Sequence, residues 1–167
     1  SMLGVVVSSH GVERLLRDAH ATASSTPELG GAVVTLVAAA RRAAQDLFAA
    51  INARAGRAPT TGEAGREPLP RHWWTAALSQ SYHTLDDHLD GLTAALRPAS
   101  EQAPARIALQ RVEQLRGNLA AIVDQTAATH ITWLERRGHA LTISASPVHI
   151  GALLRDKLFS RGQPVVL

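Results

Sequence analysis

Residues 32–54, AVVTLVAAARRAAQDLFAAINAR, carry the clearest periodic pattern in the chain. Their apolar residues recur every three or four positions, which places them on one side of an α-helix. The polar residues Arg41, Arg42 and Gln45 fall mostly off that side. The segment therefore predicts a long amphipathic helix. Its expected buried stripe consists of Val33, Leu36, Val37, Ala40, Ala44, Leu47, Phe48 and Ile51.

The same periodicity predicts helices on both sides of this segment. A short strand at 3–7 precedes a helix that Ser8 or Ser9 can cap, and the run Ser24–Pro27 breaks that helix. A third helix starts near Trp73 and ends at Leu96, before the Arg-Pro pair. Pro104 can begin a fourth helix, which we expect to lie antiparallel to the third.

After residue 129 the period changes from helical spacing to alternation. Ile131, Trp133 and Glu135 lie on one face of a predicted strand, and the intervening residues lie on the other. Residues 137–139 supply a turn into a second strand at 140–145. A hairpin alone is marginally stable in water, so it must pack on the helices or on another strand, such as 3–7. The predicted fold is mainly α, a long-helix bundle with a small antiparallel hairpin or sheet near the C terminus.

The composition fits one soluble domain. The chain has 167 residues, 46% of them hydrophobic and 19% charged, and no apolar run approaches the roughly 18 residues of a membrane span. Its net charge of +3 is weak evidence for nucleic acid. Sixteen arginines against one lysine are better interpreted as a mark of a GC-rich genome than as a binding feature. The absence of cysteine excludes disulfides, thiolate catalysis and an iron-sulfur cluster within these residues.

Two places combine aromatic and basic residues, as single-strand binding requires. Glycine, proline and polar residues predict a long exposed loop at 56–70, and it leads into a Trp-Trp pair. The opposing interpretation is that Trp74 fits an apolar helix stripe and that Trp133 lies beneath the hairpin as core. The candidate nucleic-acid-binding residues are Arg66, Arg71 and Trp73 in the first place, and Trp133, Arg136 and Arg137 in the second.

The run His83-Thr-Leu-Asp-Asp-His-Leu-Asp90 has residue types that bind metals. On a helix, however, His83 and His88 point about 140 degrees apart, so a metal site would need ligands from another helix. A solvated helix face is the favoured interpretation, and a metal-dependent enzyme of the bundle class is the weaker one. No phosphate-binding loop and no nucleophile with a plausible base are present, so we expect no catalytic residue and no metal site.

The two ends of the chain contain recognisable segments. The first is Leu3-Gly-Val-Val-Val-Ser-Ser9 before a helix. The second combines Trp133-Leu-Glu-Arg136, Ser146-Pro-Val-His-Ile-Gly151, an amphipathic helix ending in Leu158-Phe159, and a strand core at 165–167. That strand core stops without a turn signal or polar cap, so we interpret the chain as a piece of a longer protein.

These segments resemble the region between the DEAH box and the Thr-Ser-Ala-Thr motif of the DinG and XPD group of iron-sulfur DNA helicases. The resemblance covers about the first 20 and the last 38 residues, and the middle matches only in being helical. It implies one arch domain over 1–167, with a helical core at 9–127 and a hairpin and return segment at 129–167.

The resemblance also implies a function. An arch domain lies beside the path of single-stranded DNA in a cytoplasmic helicase that translocates 5′ to 3′. Its partners would be that DNA and the helicase motor in the same chain, with no membrane contact. ATP, magnesium and the iron-sulfur cluster would bind outside this segment. The alternative is a stand-alone helical module that binds another protein or a second copy through its third and fourth helices.

Overall fold

The periodic segments form four α-helices in the computed structural model. The structure describes residues 4–55, 65–69, 73–124 and 130–147. The helices are α1 (Ser9–Ser25), α2 (Gly30–Ala55), α3 (Ala76–Leu96) and α4 (Ala103–Asp124). The strands are β1 (Val5–Ser8), β2 (Gly65–Pro68), β3 (His130–Arg137) and β4 (Ala140–Pro147). This arrangement confirms the predicted fold class, mainly α with a minor antiparallel sheet.

The starts of α1 and α3 are explained by side chains that bind backbone N–H groups left free by the first turn. The Ser8 hydroxyl accepts from the Gly11 N–H at 2.9 Å and caps α1, as the sequence predicts. Thr75 caps α3 in the same way by accepting from the Leu78 N–H at 3.2 Å. Consequently α3 begins at Ala76, and the Trp73-Trp74 pair lies before the helix instead of on its first turn.

The four helices pack in a closed ring. Each contacts two others: α1 packs on α2, α2 on α3, α3 on α4, and α4 on α1. The predicted apolar stripes face the interior, and the third and fourth helices are neighbours as expected. Five leucines of α3 are fully buried, which marks it as a central element of the core. They are Leu78, Leu85, Leu89, Leu92 and Leu96.

A four-stranded antiparallel sheet covers one side of the bundle. The strand order is β1-β4-β3-β2, so the expected hairpin of β3 and β4 lies in the middle. β1 pairs with β4 in a register that places Val5 opposite Ala145, which confirms the suggested partnership of the hairpin with the first strand. Gly138 adopts a φ of +59° in the tight turn between β3 and β4, a value that favours glycine.

The loop predicted at 56–70 is wrong in part. Residues 65–68 form β2, which pairs with β3, and the Leu69 N–H continues the ladder by donating to the Thr132 carbonyl at 2.8 Å. An edge strand tolerates glycine and proline because only one of its sides needs hydrogen bonds. The sequence Gly65-Arg-Glu-Pro68 shows no alternation, so its pairing comes from the open backbone of β3. Residues 56–64 and the predicted return helix and strand of 148–167 lie outside the described residues.

One hydrophobic core joins the sheet to the bundle. Val7 of β1 and Ile143 of β4 point inward and meet Phe48 and Ile51 of α2 and Ile122 of α4. Only a small apolar void of about 10 Å³ remains at this junction, which is scarcely room for one water molecule. The junction is therefore a packing interface and has no space for a ligand.

Candidate nucleic-acid interface

Alternation along β3 decides which of its side chains face outward. Thr132 and Leu134 are buried against the bundle, whereas Trp133 and Glu135 are half-buried on the opposite face of the strand. The register places Trp133 between Ser144 of β4 and Pro68 of β2, so its immediate cross-strand neighbours are small. The structure thus puts Trp133 on the outer side of the sheet, away from the helical core.

Arg137 lies on the same side of β3 and is far more exposed than Arg136. Its side chain is 76% exposed, and its Nε lies 2.9 Å from the Glu135 Oε1. Such an exposed ion pair contributes little in water, about 0–1 kcal/mol, so a phosphate can compete with Glu135 for the guanidinium. Trp133 and Arg137 therefore lie on the same outer face of β3.

Arg136 points the other way and is used structurally. Its side chain is only 12% exposed. Nε donates to the Asn52 Oδ1 at 2.8 Å and Nη1 donates to the Glu67 Oε1 at 2.9 Å. These bonds tie β3 to the end of α2 and to β2. The predicted role of Arg136 in DNA contact does not suit this placement, because its donors already serve the fold.

Trp73 is 2% exposed and does not form a stacking platform. Its ring packs edge-on against Trp74 at a centroid distance of 5.2 Å, and its carbonyl accepts from the Arg54 Nε at 3.4 Å. The predicted role of Trp73 in strand binding is corrected accordingly, because Trp73 belongs to the core. Arg66 lies on β2 opposite Glu135. Arg71 lies outside the described residues.

The His83–Asp90 run faces a cation on the next helix. Arg116 of α4 makes two hydrogen bonds to Asp86, at 2.8 and 3.1 Å, and one to Asp90, at 3.0 Å. His83 is exposed and packs against the Tyr82 ring at 5.0 Å. No group of three potential metal ligands occurs in the part of the chain that the structure describes.

These charges also change the pKa values of Arg116 and Tyr82. Bonding to Asp86 raises the pKa of Arg116 above its usual value, so the guanidinium stays charged. Burial raises the pKa of Tyr82, and the nearby carboxylates of Asp86 and Asp124 raise it further. Arg116, Asp86 and Asp90 therefore form a charged link between α3 and α4, and the neutral phenol of Tyr82 lies beside it.

Sequence reasoning missed a cleft between α1 and α4, next to β1. It has a volume of about 360 Å³. Leu15 and Leu115 contribute apolar surface, whereas Arg14, Gln114 and Asn118 contribute polar groups. Each helix pattern is visible in the sequence, but the contact between α1 and α4, the first and the last helix of the bundle ring, is not. No local signal would have identified this site.

No family model, curated protein or solved structure matches the chain. Among the helices of the described residues, none combines the length and apolarity needed to cross a membrane.

Proposed function

We propose that this chain is the arch domain of a bacterial helicase of the DinG and XPD group, and that it shapes or gates the channel for single-stranded DNA. The observation that supports this proposal best is the pairing of β1 with β4. The segments that carry the resemblance lie at opposite ends of the sequence, and this pairing places Val5 directly opposite Ala145.

An inserted domain needs such a connection. The chain must leave the host domain and return to it at nearly the same place, because a wide separation would distort the host fold. Here the helices α1 to α4 lie between two adjacent antiparallel strands in the order of the chain. The bundle can therefore project from a motor domain without interrupting it.

The proposed role is mechanical. ATP and magnesium would be bound by the motor in the same chain, and the iron-sulfur cluster would also lie outside this segment. The arch would contact a strand through Trp133, whose ring can stack on a base, and through Arg137, which can bind a phosphate. The parent protein would act in the cytoplasm as an ATP-dependent 5′ to 3′ helicase, and this segment would contain no catalytic group.

The decisive test is the sequence of the parent gene on either side of this segment. We expect a DEAH box upstream of Ser1 and a Thr-Ser-Ala-Thr motif directly after Leu167. A stop codon after Leu167 would exclude the arch proposal and leave the stand-alone helical module as the better account.

An activity test on the full-length parent adds a functional readout. We expect ATP-dependent separation of a duplex with a 5′ single-stranded tail, and little separation of a matched duplex with a 3′ tail. Unwinding from the 3′ tail alone would contradict the proposed direction of translocation. A Walker-type lysine variant of the parent motor is the control for dependence on ATP.

A further inference from the structure

The cleft between α1 and α4 has the form of a small binding site. Its volume of about 360 Å³ falls at the lower end of the range for ligand pockets, which is about 300–1,000 Å³. Leu15 of α1 and Leu115 of α4 supply apolar surface, and polar side chains line the same cleft. A concave apolar surface with a few polar groups can hold a flat ring and read its edge.

The charge around this cleft favours an anionic occupant. Both acidic residues of α1 are neutralised: Glu13 lies 2.9 Å from the Arg41 Nε, and Asp18 lies 3.1 Å from the Arg111 Nη1. Arg14, which lines the cleft, has no ion-pair partner among the described residues. Its guanidinium is planar and always charged, and it matches the geometry of a phosphate.

The amides beside Arg14 add hydrogen bonding. Gln114 and Asn118 lie one turn apart on α4 and both line the cleft. An amide side chain offers donors and acceptors together, so it can pair with the edge of any base. An acidic peptide would satisfy Arg14, but a nucleotide also uses the apolar surface for its ring and the amides for its edge.

We propose that the α1–α4 cleft binds one nucleotide of a single strand, with the phosphate at Arg14, the base against Leu15 and Leu115, and its edge at Gln114 and Asn118. This inference rests on the proposed function, because it names a place where the arch would hold its DNA. It adds a contact on the helical bundle, separate from Trp133 and Arg137 on the sheet.

The test measures binding of a short fluorescent oligothymidylate to the 167-residue chain by anisotropy, over a series of salt concentrations. Arg14→Ala should weaken binding roughly fivefold and lower the slope of log affinity against log salt by about 0.7, the value for one lost single-strand phosphate contact. Gln114→Trp, which fills the cleft without changing charge, should also weaken binding. Both positions lie on exposed helix surface, so far-ultraviolet circular dichroism should be unchanged.

Arg42→Ala is the matched control. Arg42 is an exposed arginine of α2 without an ion-pair partner in the described residues, and it does not line the cleft. Its loss should leave affinity unchanged within about twofold, since only a nonspecific electrostatic attraction to the strand is removed. Equal weakening by Arg14→Ala and Arg42→Ala would overturn the cleft proposal.

Two other results would also overturn it. One is the absence of binding by the unmodified chain at low salt. The other is displacement of the labelled strand by polyglutamate as efficiently as by unlabelled oligothymidylate at equal charge, which would show that charge alone is recognised. Failure here is distinguishable from failure of the arch proposal, because the sequences flanking the segment test that proposal independently of binding.

Discussion

At the scale of single residues, Arg116 shows how one side chain fixes the relation between two helices. It bonds to two carboxylates of α3 through three donors. Charge-assisted bonds of this kind are worth about 1.5–3 kcal/mol each at best, and less where water reaches them. The residue types of 83–90 suggested metal binding, but what decides their role is a cation on another helix, and the local pattern does not contain it.

Tyr82 provides a residue-scale prediction because it is the only tyrosine. Burial raises its pKa above the ordinary 10.0, so the folded chain should show a tyrosinate absorbance midpoint above that of the urea-unfolded chain. Below the unfolded pKa the stabilising effect of the neutral phenol is fully present, and it is lost as pH rises through the folded pKa. A folded midpoint at or below the unfolded one would contradict this account.

Asp86→Asn separates the causes of the shift. It removes one negative charge and releases the positive charge of Arg116, and both changes lower the pKa of Tyr82. The midpoint should therefore fall but stay above the ordinary value, since burial is the largest cause. Asp87→Asn is the matched control, because Asp87 is exposed and is not among the groups that act on Tyr82.

At the scale of elements, β1 depends on close backbone contact with β4. A Cβ atom at Gly4 would lie 2.6 Å from the Ala145 carbonyl oxygen and 2.9 Å from the Ser146 Oγ. The first distance is to backbone, which cannot move aside without loosening the ladder. Glycine at this position therefore allows the first strand to approach the sheet.

Two glycine substitutions should have opposite effects. Gly4→Ala should lower the free energy of unfolding by about 1–3 kcal/mol because of overlap with β4. Gly117→Ala, in an open position of α4 with nothing within 4 Å of the added Cβ, should raise it by about 0.5–1 kcal/mol through helix propensity. Urea titrations of both variants measure the two effects. A neutral Gly4→Ala would mean that β1 can shift without cost.

Elements also differ in how far the sequence predicts them. The helices follow from periodicity and capping residues, and their predicted ends agree with the structure to within about three residues. β2 could not be predicted, because its pairing is supplied by β3. Trp73 was predicted to contact a strand because it lies beside Trp74 and close to Arg71, and the local sequence does not show that its ring is buried.

At the scale of the whole molecule, helices and sheet share one core. Leu16 of α1, Leu47 of α2, Leu89 of α3 and Val112 of α4 belong to the same buried cluster as Leu134 of β3. The class of this fold could be predicted from the sequence. The ring order of the helices, and with it the cleft between α1 and α4, could not, because it depends on contacts between residues far apart in the chain.

A shared core predicts one cooperative transition. Far-ultraviolet circular dichroism follows the helices, and tryptophan fluorescence follows the junction at Trp74 and the sheet at Trp133. Both signals should give the same midpoint on thermal or urea unfolding. A fluorescence change that precedes the loss of helix would indicate that the sheet unfolds separately from the bundle.

Replacing the buried Leu89 by alanine (Leu89→Ala) should destabilise the fold by about 2–5 kcal/mol and shift both midpoints together.

The pairing of β1 with β4 also determines how late in synthesis on the ribosome the first strand can pair. Val5 and Ala145 are neighbours in space but 140 residues apart in sequence, by the difference of their numbers. Translation adds about 5–20 residues per second, so roughly 7–28 s pass between the synthesis of β1 and the synthesis of its partner β4. Helices form much faster, in about a microsecond. During that delay the apolar segment Val5–Val7 is present as an unpaired strand, open to pairing with other nascent chains. Translation of the β3–β4 hairpin therefore ends the period in which β1 is unpaired and most exposed to aggregation.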